Sequence, residues 1–237
     1  MKATVFSKAV VMMAVVMASV MNFSASATTP ADYVKNEEMT GELMTAKTIF
    51  RNEDGHLFRH LRYTYTYDSE NRVTSKEAFK WDSVKEAWVP YFKLDVDINL
   101  NDKPWTPTKE FRGVFDGQHH KITGLKVSAA DEQVGLFGQL SRTGRLSNLH
   151  VSGDVENTSP TVYYAAGGIC GLHDGVITNC SFSGSVRGVG LVGGIAGECN
   201  GKIISCKNTA SVSGKEAGGI AGRESSAIPK IYGCYNE

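Results

Sequence analysis

The chain has 237 residues, with 25 basic and 25 acidic side chains, 41% hydrophobic residues and 25 glycines. That length holds one or two domains, and the hydrophobic share is that of a folded protein rather than a disordered or collagen-like one. Zero formal charge at pH 7 supplies no general attraction to nucleic acid or to an anionic membrane, so neither is expected as a partner.

In chain order, Lys2 and Lys8 precede an apolar run from Ala9 to Met21, and Ala25-Ser26-Ala27 then offers the small residues that a signal peptidase reads. Residues 1–27 therefore read as a signal peptide. The run falls short of the ~20 residues that span a bilayer as a helix, so export is expected, with no membrane span left after cleavage. No cysteine precedes Cys170, so no lipid-bearing thiol stands at the cleavage site. Residues 28–44 are polar and read as a flexible lead or a short helix.

Residues 45–93 read as an antiparallel β-meander. Leu57, Leu61, Tyr63, Tyr65 and Tyr67 share one parity while Arg62, Thr64 and Thr66 take the other, and strand side chains alternate faces with a period of two. Asn52-Glu53-Asp54-Gly55 and Asp68-Ser69-Glu70-Asn71 supply turns on either side. Trp81, Trp88, Tyr91 and Phe92 are expected to close a small aromatic core. An aromatic ladder of Tyr63, Tyr65, Tyr67, Trp81 and Trp88 offers faces for stacking sugar rings; packing of a thin sheet against a neighbour is the competing role. The stretch YTYTYDSENRVTSKEAFKWD resembles the tyrosine-aspartate repeats of bacterial RHS-type proteins. With the tryptophans and the following WVP, it also resembles a small uncharacterised domain of secreted proteins from gut anaerobes.

Glycine marks the second part, 94–237. Residues 1–110 hold only Gly41 and Gly55, and the other 23 glycines follow. VGLFG at 134, AGGICG at 166, VGGIAG at 192 and AGGIAG at 217 repeat one unit, with Gly135, Gly168, Gly194 and Gly219 spaced by 33, 26 and 25 residues. Downstream columns agree: Leu149, Cys180, Cys206 and Cys234; Val151, Phe182, Asn208 and Asn236; Gly153, Gly184 and Ala210; Val155, Val186 and Val212. Columns two residues apart predict stacked parallel strands, whereas a helical solenoid would space them by three and four and could not carry so much glycine. The fold expected is all-β, a short parallel β-helix after the meander.

GGICGLHDGVITNCSFSGSV (167–186) and GGIAGECNGKIISCKNTASV (193–212) resemble the GLUG repeats of bacterial surface proteins, first noted in IgA-specific metallopeptidases, and WTPTKEFRGVFDGQHHKITGL (105–125) is similar to the lead-in coil of those proteins. The resemblance implies a parallel β-helix, secretion and a surface or adhesive role, without peptidase activity. His119 stands at a turn where the family usually has glycine, and an Ile228-Pro229 segment interrupts the last repeat.

Candidate chemistry is sparse. Cys180, Cys206 and Cys234 share a column, and neighbouring strands lie ~4.8 Å apart, wider than the ~3.8 Å between Cβ atoms of a disulfide; a reduced, buried ladder is expected. The same registry leaves the pairing of Cys170 with Cys199 open. The sequence Gly188-Val-Gly-Leu-Val-Gly193 mimics a dinucleotide-binding loop but belongs to the coil repeat. None of the six histidines forms a His-Glu-x-x-His motif, and His119 and His120 fit a turn. Asp116, Asp174, Glu198, Glu216 and Glu224 form no acidic column of the kind a β-helix lyase or hydrolase needs. The expectation is a non-catalytic surface or extracellular binding protein with no cofactor or metal and with an unidentified glycan or protein ligand. Its rivals are a β-helix carbohydrate-active enzyme and a structural piece of a longer surface repeat protein. Self-association end to end through the last coil is also expected, because that coil lacks a recognisable cap.

Overall fold

The computed structural model describes residues 33–225 and 230–237. The signal-like segment and Ile228-Pro229 lie outside the described residues. The chain divides into two units, Met1–Phe92 and Lys93–Glu237. Both are all-β, and no helix occurs among the described residues.

The first unit is an antiparallel meander of β1 (Tyr33–Thr40), β2 (Leu43–Glu53), β3 (His56–Tyr67), β4 (Val73–Asp82) and β5 (Ala87–Lys93), each paired with the next. The stretch expected to be a flexible lead or short helix thus carries β1. Gly41, at φ +60°, opens the two-residue turn from Thr40 to Leu43. β1 is exposed along its whole length, so hydrophobic patterning could not reveal it. Backbone pairing and the cross-strand ion pairs Lys47–Glu37 and Arg62–Glu38, each 2.9 Å, hold it. Asp54 and Gly55, at φ +50° and +85°, make the two-residue turn between β2 and β3 in the left-handed geometry that hairpins favour.

A β-bulge breaks the alternation of β3. Ile49 pairs with Leu61 and Phe50 with Arg59, leaving His60 as the extra residue. His60 therefore joins Leu61, Tyr63 and Tyr65 on one face, and Arg59 turns to the other, where its guanidinium lies 4.5 Å from the Trp81 ring centroid. Leu57, expected on the tyrosine face, lies before the bulge and falls on the opposite one. The single aromatic core expected of Trp81, Trp88, Tyr91 and Phe92 does not form either. Trp81 and Trp88 meet edge to face at 5.2 Å, while Tyr91 lies on the other side of the sheet beneath Lys80. Among the described residues of the meander, only Ala46 and Thr48 are fully buried.

The second unit is a β-solenoid of about five turns. A lead-in strand β6 (Ile98–Asn99) precedes a coil of β7 (Thr108–Phe111), β8 (Val114–Asp116) and β9 (Lys121–Ala129). The next coil holds β10 (Gln133–Val134), β11 (Phe137–Leu140), β12 (Arg145–Ser147) and β13 (His150–Asn157). After it come β14 (Ala165–Gly167), β15 (Cys170–His173), β16 (Val176–Thr178) and β17 (Ser181–Arg187). The fourth coil is β18 (Leu191–Gly193), β19 (Ala196–Cys199), β20 (Lys202–Ile204), β21 (Lys207–Asn208) and β22 (Ser211–Ser213), and the last is β23 (Glu216–Gly218), β24 (Ala221–Glu224), β25 (Ile231–Tyr232) and β26 (Tyr235–Asn236). Equivalent strands stack in parallel, as in β7-β11-β15-β19-β24 and β9-β13-β17-β21-β26.

The interior is filled by columns. Val127, Val155, Val186 and Val212 are in register, as are Val151, Phe182, Asn208 and Asn236. Facing the second column across the coil stand Gly168, Gly194 and Gly219. A Cβ on each would fall within the van der Waals radius of the Phe182 ring, the Asn208 amide and the Asn236 amide, respectively. The glycine column is therefore the space that the bulky column fills. Gly135, equated with Gly168 by motif, follows Val134, which pairs with Ala166, so it neighbours Gly167 instead. One corner repeats left-handed backbone at Asn148, Asn179, Ser205 and Gly233 (φ +53°, +52°, +52° and +57°). There Asn179 donates to Asn148 (2.8 Å) and Asn148 to Asp116 (3.1 Å).

Candidate functional site

The meander carries a half-open groove of about 460 Å³ on the face that the bulge assembles, a size within the ~300–1,000 Å³ of small-molecule clefts. Cross-strand register explains its lining. Lys47 pairs with Tyr63, Ile49 with Leu61, Lys35 with Ile49, and Lys76 with Tyr65, and directly paired residues share a face. Tyr33 closes one side, its ring 5.6 Å from that of His60. All of these residues line the groove.

The groove is cationic and aromatic. The Lys76 ammonium lies 4.7 Å from the Tyr63 ring centroid and 5.8 Å from that of Tyr65, a cation–π geometry that holds the charge over the tyrosine floor. Lys47 is engaged by Glu37, whose carboxyl is lowered by that hydrogen bond and charge. Lys35 makes no ion pair among the described residues. Partial burial pushes the His60 pKa down, and the nearby Lys80 and Arg51 charges push it further. Burial raises Tyr65. The groove lining thus combines Lys35, Lys47 and Lys76 with Tyr33, Tyr63 and Tyr65 and with a His60 imidazole whose partial burial disfavours its protonated form.

The aromatic residues singled out from the sequence divide between faces and tasks. Tyr63 and Tyr65 line the groove. Tyr67 does not, and its hydroxyl donates to the Met44 carbonyl (2.8 Å). Trp81 and Trp88 pair on the reverse face with Arg59 above. The charged residues of the groove lining, Lys35, Lys47 and Lys76, are not recognisable as a set in the sequence. They sit on three strands, and Lys35 lies in a stretch without hydrophobic signal. The alternation Tyr33-x-Lys35-x-Glu37 before a glycine turn was the available clue.

In the solenoid, Cys180, Cys206 and Cys234 follow Leu149 at one position of successive coils. The Cys180 amide donates to the Cys206 sulfur (3.5 Å) and the Cys206 amide to the Cys234 sulfur (3.4 Å). All five cysteines are free, four of them buried. The Cys206 hydrogen bond and burial raise the Cys180 thiol, burial raises Cys170, and Cys199 is pushed up to about 12, so these sulfurs are protonated and poorly nucleophilic. The acidic residues are engaged locally. Asp174 accepts from Gln139 and Asn200 (3.1 Å each), Glu198 from Arg223 (2.9 Å) and Ser225 (2.8 Å), and Asp116 from Asn148 and the Gln118 amide. His119, at φ +64°, is in the turn, and His120 contacts Asp97 at 3.0 Å.

Residues 1–106 match a family of unknown function (DUF3836), and residues 162–187 match the GLUG motif. Over 104 residues the chain is 34% identical to Halomucin of Haloquadratum walsbyi (strain DSM 16790 / HBSQ001), which covers 43% of this chain but only 1% of that protein. Among solved structures, a DUF3836 family protein from Bacteroides vulgatus ATCC 8482 is 33% identical over 24% of this chain and 58% of that one, and one from Parabacteroides distasonis ATCC 8503 is 32% identical over 25% and 54%; both have a TM-score of 0.24.

Proposed function

We propose that this chain is an exported, non-catalytic surface-type repeat protein whose meander binds a ligand, a glycan or a protein. The observation that carries the reading is the groove, where tyrosine rings and lysine ammonium groups converge on one face of a sheet with almost no core of its own. A scaffold role would not need charges gathered on that face. The GLUG match and the partial likeness to Halomucin support the surface-repeat part, and the signal-like residues 1–27 support export. In the solenoid Asp174 accepts from side-chain amides and Glu198 from Arg223 and Ser225, which supports a structural task for these carboxylates.

The test is a screen of the secreted chain against glycan arrays and mucosal proteins, run beside hydrolase and lyase assays on the same panel. Saturable binding without turnover is the expected result. Turnover of a polysaccharide without stable binding would transfer the protein to the enzyme class.

A further inference from the structure

We infer that β1 is a self-association edge, through which two copies of this chain join their meanders by pairing β1 with β1, antiparallel, about a twofold axis at Asn36. The inference does not depend on the ligand-binding reading above.

Among the described residues, β1 is the outer strand of the order β1-β2-β3-β4-β5, pairs with β2 alone, and is exposed at every position. The amide and carbonyl groups on its outer side offer an open ladder, the feature through which a sheet takes on a further strand. Natural edges are commonly blocked by proline, by short length or by a charge that a second strand cannot answer. β1 has eight residues, no proline and charges of both signs, Lys35 against Glu37 and Glu38. The bulge beside Met39 puts its extra residue, Thr45, in β2, so the alternation of β1 is unbroken and Tyr33, Lys35, Glu37 and Met39 share one face.

The sequence of the strand selects its own register. A twofold axis normal to a sheet keeps each face on its own side, so in a β1–β1 pair the axis must pass through a residue and not between two. Centred on Lys35 or on Glu37, the pair sets like charges directly opposite each other, which destabilises. Centred on Val34, Glu38 or Met39, it brings no opposite charges together. Centred on Asn36, it sets Lys35 against Glu37 twice, Tyr33 against Met39 twice and Val34 against Glu38 twice. Lys35, without an ion pair among the described residues, then meets a carboxylate that Lys47 already holds in place at 2.9 Å. Tyr33 and Met39, 38% and 52% exposed, cover each other across the junction. One added strand pair lies at the small end of protein interfaces, below ~1,200 Å², so the dimer is weak and concentration-dependent.

The experiment is sedimentation velocity of the purified full chain at roughly 5 to 500 µM, the range of weak association, beside charge variants of β1. The native chain should pass from monomer to dimer across that range. Lys35→Glu and Glu37→Lys each set like charges opposite one another at both pairs and should each weaken the dimer about 10-fold. An equimolar mixture of the two variants brings opposite charges back at both pairs and should recover the native affinity, a rescue that misfolded variants could not give. Asn36→Cys puts one thiol of each copy at the axis and should form a disulfide-linked dimer with a low-molecular-weight disulfide as oxidant, whereas Val34→Cys, opposite Glu38, should not. A monomer throughout the range, a dimer indifferent to both charge variants, or equal cross-linking of the two cysteine variants would overturn the inference. The ligand screen reads binding and not mass, so that failure would leave the binding reading standing.

Discussion

His173 shows how a single side chain couples the solenoid to pH. It is fully buried, its Nε2 lies 3.0 Å from the Lys202 carbonyl and donates to it, and its Nδ1 has no hydrogen-bond partner among the described residues. Burial pushes its pKa down to about 4 from 6.5. Between those values the unfolded chain binds the proton and the folded one does not. Stability is therefore fully present above pH 6.5 and is lost as pH falls towards 4, by on the order of 3 kcal/mol. Urea unfolding at pH 7.0, 5.5 and 4.5 should show this loss in the native chain and a shallower one in His173→Gln; parallel curves would refute it. Gly184 is a second sensitive position. At φ +117°, its added Cβ would collide with the Gly153 carbonyl oxygen of the neighbouring coil. Gly184→Ala is expected to destabilise by roughly 3 kcal/mol or more, because strain and overlap act together and the obstacle is backbone. A shift in the denaturation midpoint no larger than that of a surface Gly→Ala change would contradict this.

At the level of the element, a column in the solenoid behaves as a unit whose members are not interchangeable by hydrophobicity. Asn208 follows Phe182 in a buried column, yet its amide donates to the Ala210 carbonyl (3.2 Å) and to Asn236 (2.8 Å), and its oxygen accepts from the Ala210 amide (3.1 Å). Asn208→Leu keeps the approximate volume and is expected to destabilise by about 1–3 kcal/mol per polar group left unpaired, measured by thermal melting against the native chain. A stabilising effect would show that the column is ruled by transfer of apolar surface alone. In the meander, by contrast, strand identity is set by pairing rather than burial. β1 is exposed along both faces and β3 changes parity at His60, so a pattern of apolar alternation located β3 but missed β1 and misplaced Leu57.

For the whole molecule, the repeat makes stability approximately additive from coil to coil. The third and fourth coils are offset by 26 residues in all four stacks: Ala165 pairs with Leu191, Cys170 with Ala196, Val176 with Lys202, and Ser181 with Lys207. Excision of residues 188–213 should therefore yield a chain that is still all-β by circular dichroism and unfolds cooperatively at a lower temperature. An unfolded product would show that the coils are not modular.

What the amino-acid order determined alone was the solenoid. Glycine and inward columns recur once per coil, with 25 or 26 residues between the later coils, and the later inter-coil pairings follow the same offsets, as in Cys170 with Ala196 and Ala196 with Ala221, so the repeat in one dimension maps onto stacking in three. The groove was decided by tertiary structure. Lys35, Lys47, Lys76, His60 and Tyr33 lie on four strands, and their convergence depends on antiparallel register and on one extra residue in β3. Neither quantity is written in the local pattern of polar and apolar side chains, because pairing partners and bulges are fixed by which strand lies alongside.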